Sequence, residues 1–176
     1  MKRFIKQCAL GQSVLEWLKP YPVKLVLDRP SEHQPALITA AEGQLTFSAF
    51  FGPDHRPSQT AWMLVHDIAH AVAAPEDGFF EHNIGLWVDQ GGGPQCPELT
   101  NELIEMEHQV FTHQIVLLRH FDYDYKTTMS NTLRVAKTLF KVDPNEVWAR
   151  ADATTYEGTL AAWERKIALL GVVADA

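Results

Sequence analysis

Cysteine is scarce in this sequence: only Cys8 and Cys96 occur in 176 residues. They lie far apart and in no C-x-x-C pattern. That excludes a disulfide framework and a cysteine-rich zinc module, and it suits a reducing, cytoplasmic setting. Long apolar runs are missing as well. No stretch of about 18 apolar residues occurs, so no membrane-spanning helix is expected. The start, Met1-Lys2-Arg3-Phe4-Ile5-Lys6-Gln7, is positively charged. Gln7, Gly11, Gln12, Ser13 and Glu16 then break the apolar region that a secretory signal needs. An excess of positive charge is lacking too. With 15 Lys and Arg against 22 Asp and Glu, the formal net charge is −7, which argues against broad binding to nucleic acid or anionic membrane. There is no internal repeat, low-complexity tract or linker. The 46% hydrophobic and 21% charged fractions are those of an ordinary globular chain, read as a single metal-binding domain over residues 1–176.

Along the chain, Val14, Leu15, Trp17 and Leu18 outline a short amphipathic helix stopped by Pro20 and Pro22. Val23–Leu27 alternates as a strand. Residues 36–41 and 45–51 form two further strands around a turn at Glu42-Gly43-Gln44. Ser58 is placed to cap a long apolar helix that ends at Pro75. Residues 76–97 are rich in turn formers and surround an island, Asn83-Ile84-Gly85-Leu86-Trp87-Val88. A helix over 98–120 follows, with Leu99, Leu103, Met106, Val110 and Leu117 as its apolar stripe. Ser130 or Asn131 caps a helix through Lys141, and Asp143-Pro144 opens a last helix to Leu170, interrupted near Gly158. The expected fold is α+β: a small antiparallel sheet near the N-terminus packed on several helices, one of them a zincin-like metal-site helix.

The chemistry centres on His66-Asp67-Ile68-Ala69-His70. Residues four apart leave one face of a helix, so His66 and His70 can share a metal ion. The ordinary alternative is a buried histidine bonded to a backbone carbonyl. The pattern is a variant of H-E-x-x-H, in which the acid after the first ligand acts on metal-bound water. Asp67 is one methylene shorter and reaches roughly 1.5 Å less far, so it serves as a base or as an orienting group. The third ligand is sought on the 98–120 helix among Glu98, Glu102, Glu105, Glu107, His108 and His113. Glu105 is chosen because Leu103, Ile104 and Met106 around it are apolar. Two histidines and one carboxylate make an oxygenase site with iron and a hydrolytic site with zinc.

His66-Asp67-Ile68-Ala69-His70, Ala73, the Ile84-Gly85-Leu86-Trp87 island and Ile104-Glu105-Met106 together resemble the elongation factor P hydroxylase family. In that family H-E-x-A-H precedes an F-G-Y-W-like island and a later carboxylate. The resemblance covers roughly residues 60–115, with Asp67 in place of glutamate and Leu86 in place of an aromatic. It implies a mononuclear metal site held by His66, His70 and Glu105. The expectation as a whole is one divalent ion, iron or zinc, with Asp67 assisting catalysis and a protein as substrate.

Other readings stay open. Asp67-x-x-His70 and Glu105-x-x-His108 fit the acid-x-x-His spacing of di-iron bundles, which also need inward glutamates such as Glu146, Glu157 or Glu164. His66-Asp67 looks similar to the dyad of HD phosphohydrolases, for which His33 or His55 would have to come earlier and Asp122 or Asp124 later. A zinc-dependent hydrolase is the nearest alternative in chemistry. A non-catalytic binding or inhibitor protein, using an acidic surface on a basic partner, is the alternative outside enzymes. Gly91-Gly92-Gly93 lacks the lysine and Ser/Thr of a phosphate loop, His82 is a loop histidine, and Cys96 has no partner that would make it a nucleophile.

Overall fold

The computed structural model describes residues 1–28, 37–41, 43–50, 56–76 and 100–172. His33, His55, His82, the Asn83–Val88 island, Gly91-Gly92-Gly93, Cys96 and Glu98 lie outside them.

Short helices α1 (Lys2–Ile5) and α2 (Ala9–Leu18) open the chain. They meet so tightly that a Cβ on Gly11 would stand 1.9 Å from the carbonyl oxygen of Ile5; only glycine allows that approach. Strands β1 (Val23–Asp28), β2 (Leu37–Ala41) and β3 (Gln44–Phe50) form a sheet of order β1-β3-β2. The β2–β3 hairpin is antiparallel and turns at Gly43, whose φ of 70° suits glycine. β1, however, pairs parallel to β3, with Val23 opposite Leu45 and Leu25 opposite Phe47. The sheet is therefore mixed rather than antiparallel throughout. Alternation within each strand reports which face is buried, not which neighbour the strand takes. In β3 that alternation is plain: Leu45 and Phe47 are fully buried while Gln44 is exposed.

Among the described residues five more helices follow: α3 (Pro57–Ala73), α4 (Asn101–His120), α5 (Lys126–Phe140), α6 (Pro144–Ala153) and α7 (Tyr156–Val172). The architecture is α+β, as its pattern of elements implies. Pro57 occupies the first turn of α3, and the N-cap is Arg56 rather than Ser58. Its amide donates to Gln59 Oε1 at 2.9 Å. Thr100 caps α4 by accepting from the amide of Leu103. α5 starts at Lys126, earlier than Ser130, because Met129 is buried and its amide already bonds the carbonyl of Tyr125. The last helical stretch divides at Thr154-Thr155. Thr155 Oγ1 accepts from Gly158, so Gly158 lies inside the first turn of α7 rather than at the break.

α3 is the central element. It packs principally on α4 and also touches α1, α2, α7 and β3. Ala61, Leu64, Val65, Ile68, Ala69 and Ala71 on it are entirely buried. One hydrophobic cluster runs from Ile5 to Leu170, with Trp163 of α7 between Trp17 and Phe47. No helix among the described residues is long and apolar enough to cross a membrane.

Candidate metal centre

Helical spacing carries His66 and His70 onto the side of α3 that faces α4. There Glu107 meets them. One ligand atom from each of the three residues lies within 4.8 Å of the other two. The Nε2 atoms of His66 and His70 are 3.1 Å apart, and His70 Nε2 stands 3.9 Å from Glu107 Oε1. His70 and Glu107 are buried, 5% and 3% exposed; His66 is half-buried.

The protonation states follow from the surroundings. His66 Nδ1 lies 3.1 Å from Gln114 Oε1. An amide oxygen only accepts, so the proton sits on Nδ1 and the Nε2 lone pair is free. Burial lowers the His66 pKa, partly offset by Gln114. Burial and then the neighbouring His66 lower that of His70 further. Both rings are neutral near pH 7. Two neutral imidazoles whose Nε2 atoms face each other can share a proton or share a cation. In the first case His70 Nε2 donates to His66, leaving the His70 Nδ1 lone pair buried with no partner among the described residues. In the second, both lone pairs point at one ion, with Nδ1–H on His70.

The spacing suits an ion. Nitrogen ligands at about 2.0–2.1 Å from one metal stand roughly 2.9–3.4 Å apart, which brackets the 3.1 Å observed. The Glu107 oxygen is set back by about half an ångström to one ångström from that range. Desolvation pushes the Glu107 carboxyl up to about 7, the behaviour of an acid buried without a compensating charge. The donor types fit a divalent ion, which would hold Glu107 as the carboxylate.

Glu105, chosen from sequence as the third ligand, is not at this cluster. It is exposed and forms a bidentate pair with Arg150, at 2.6 and 2.9 Å, while also accepting from Gln109. The Arg150 guanidinium brings its carboxyl down to about 2. Two residues along a helix is about 200° of rotation, so Glu105 and Glu107 face opposite ways. Apolar sequence neighbours do not report the direction of a helical residue; the positions three and four away do. The line 103-107-110-114-117 alternates steps of four and three and is buried from 107 on, and both Glu107 and Gln114 fall on it. That was the signal available for these two residues.

Asp67 stands outside the three-residue cluster, and burial pushes its carboxyl up to about 7. Asp122 and Asp124, the later acids of the HD reading, are exposed on the α4–α5 turn. His108 is buried on another face: its Nδ1 donates to the carbonyl of Ile104 at 2.8 Å, and its Nε2 accepts from the amide of Asp143 at 3.0 Å. Both ring nitrogens are thus used, and the Glu105-x-x-His108 half of a di-iron site is not assembled. Glu146 joins Glu105 on Arg150, and Glu157 and Glu164 are exposed. His113 bonds Thr159 Oγ1 at 3.0 Å, and Glu102 is exposed in the first turn of α4.

Beside the cluster, His66 forms part of the wall of a cavity of about 330 Å³ between α3, α4 and α5. A larger concavity of about 540 Å³ lies between α1, α2 and β1, lined by Lys2, Arg3, Lys6, Glu16 and Lys19 among others and by none of the three cluster residues. Comparison of the chain with protein-family models, with curated proteins and with solved structures finds no match.

Proposed function

We propose that this protein is a metal-dependent enzyme, an oxygen-using hydroxylase, in which His66, His70 and Glu107 hold one divalent ion. The observation that carries the reading is the convergence of two neutral imidazoles and one carboxylate within 4.8 Å in a buried seam. A two-histidine, one-carboxylate set with open positions is the donor set of non-haem iron(II) oxygenases. The likeness of residues 66–70 and 84–87 to the elongation factor P hydroxylases supports the same side. When bound, the ion supplies a Lewis-acid centre with free positions for oxygen or water. Gln114 holds the His66 ring in the tautomer whose Nε2 can ligate. Asp67, raised to about 7, takes or gives a proton at neutral pH.

That last property favours a second reading, a zinc-dependent hydrolase with Asp67 as general base. Elemental analysis of protein purified without affinity-tag metals, combined with oxygen-uptake measurements, separates the two. The hydroxylase reading expects close to one iron per chain and oxygen consumption in the presence of a reductant. One zinc and no uptake supports the hydrolase. A wild-type chain that neither carries nor takes up any divalent metal removes both.

A further inference from the structure

Among the described residues, the large hydrophobic side chains left most exposed are Val135 and Leu139, 53% and 43% exposed, one turn apart on α5. Val135 lines the 330 Å³ cavity together with Trp62 of α3, Phe111 of α4 and Phe140 of α5. Among the described residues that line it, His66 is the one titratable side chain, and none is Asp, Glu, Lys or Arg. The Phe111 ring packs 5.3 Å from that of His66. Thus one imidazole serves the cluster through Nε2 and the cavity through its ring. The volume is at the lower end for pockets that hold small molecules. Its chemistry contrasts with the cation-lined concavity beside α1, which reaches none of the ligands.

We infer that this cavity receives the substrate of the proposed metal centre, and that the part it accepts is an uncharged apolar group, a short aliphatic chain or a single ring. The inference rests on the metal-centre reading. A charged end lodged here would lose its hydration without meeting an opposite charge. An apolar end would gain by leaving water, by about fourfold in affinity per methylene. The exposed pair Val135 and Leu139 extends the same apolar surface outward along α5, so the rest of an elongated substrate meets a matching rim.

The test titrates butanol, pentanol, n-hexanol, n-hexylammonium and hexanoate against the full chain by NMR, with and without Mn²⁺. The expected result has three parts: affinity rising about fourfold per methylene along the alcohols, hexanol binding at least about tenfold tighter than either ion, and hexanol resonances broadened by protein-bound Mn²⁺. Val135→Asp should weaken hexanol by about tenfold or more. If that variant fails to fold, the charge and chain-length series on the wild type decides alone. Hexylammonium binding as well as hexanol, or hexanol that does not bind, overturns the inference. So does bound hexanol left sharp while Mn²⁺ is bound. If hexanol binds and neither Mn²⁺, Fe²⁺ nor Zn²⁺ does, the metal reading has failed and the substrate role falls with it; if the metal binds and hexanol does not, only the cavity assignment has failed.

Discussion

Two glutamates two positions apart on α4 lead opposite lives. Glu105 is solvated, clasped by Arg150 and held down to about 2; Glu107 is buried beside two neutral imidazoles and driven up to about 7. The chemistry of the two side chains is the same, and only the direction in which the helix points them differs. On the Arg150 side each charge has a partner, so the face is electrostatically finished. On the α3 side the polar groups are incompletely matched: His70 Nδ1 and Gln114 Nε2 have no hydrogen-bond partner among the described residues. Buried polar groups left in that state are costly. Function is therefore sought on the unfinished side, while the finished side reads as support.

The largest test of this contrast removes a histidine. His70→Ala should abolish measurable Zn²⁺ or Fe²⁺ binding in a competition titration, a loss on the order of 100-fold or more, since one of three ligands is gone. Full metal occupancy in that variant would place the site elsewhere. Next comes the direct comparison. Glu107→Gln should weaken metal binding by about 10- to 100-fold, and Glu105→Gln by less than about twofold. The reverse order would mean that α4 presents its other face to α3 in solution.

A third test uses pH on the metal-free protein. Glu107 binds its proton more tightly when folded, so between about 4.5 and 7 the unfolded chain is the more deprotonated state. Stability from this group is full below about 4.5 and is lost as pH rises through about 7. Asp67 acts in the same sense from about 3.8 upward. His66, His70 and His113, all lowered, act in the opposite sense: they stabilise above about 6.5, and that stability drains as the unfolded chain takes up protons below it. Above about pH 7 only the carboxyl penalty remains. Metal-free Glu107→Gln should then be more stable than wild type at pH 8, by at most roughly 3 kcal/mol, in urea melts. Saturating zinc should reverse the ranking. A variant no more stable than wild type at pH 8 would show that Glu107 is not buried unpaired. The smallest effect belongs to the finished face. Glu105→Ala should cost no more than about 1 kcal/mol, shrinking in high salt, because the pair is half exposed.

The parts of the molecule legible in its sequence were those set by local periodicity. The apolar run around His66 and His70 announced a buried helix, and the spacing of four put both rings on one side. The α+β layout followed from alternation early and helical stripes later. What escaped depended on tertiary choice. Nothing in Val23–Leu27 says that it will lie parallel to β3 instead of joining a meander. Glu107 and Gln114 were missed for a different reason. Both lie on the buried line of α4, but apolar sequence neighbours single out Glu105 instead of Glu107, and Gln114 carries no charge at all.

The short offset between Glu107 and His70 has a mechanical meaning. A carboxylate stands about 6–7 Å from the axis of its helix, given a Cα radius of about 2.3 Å plus the side chain. Rolling α4 by only about 5–8° would therefore sweep that oxygen through the half to one ångström that separates it from ligand spacing. The Arg150 clasp grips the opposite side of the same cylinder. Half exposed, that clasp holds the helix only weakly, so the packing of α4 on α3 sets how far Glu107 can reach.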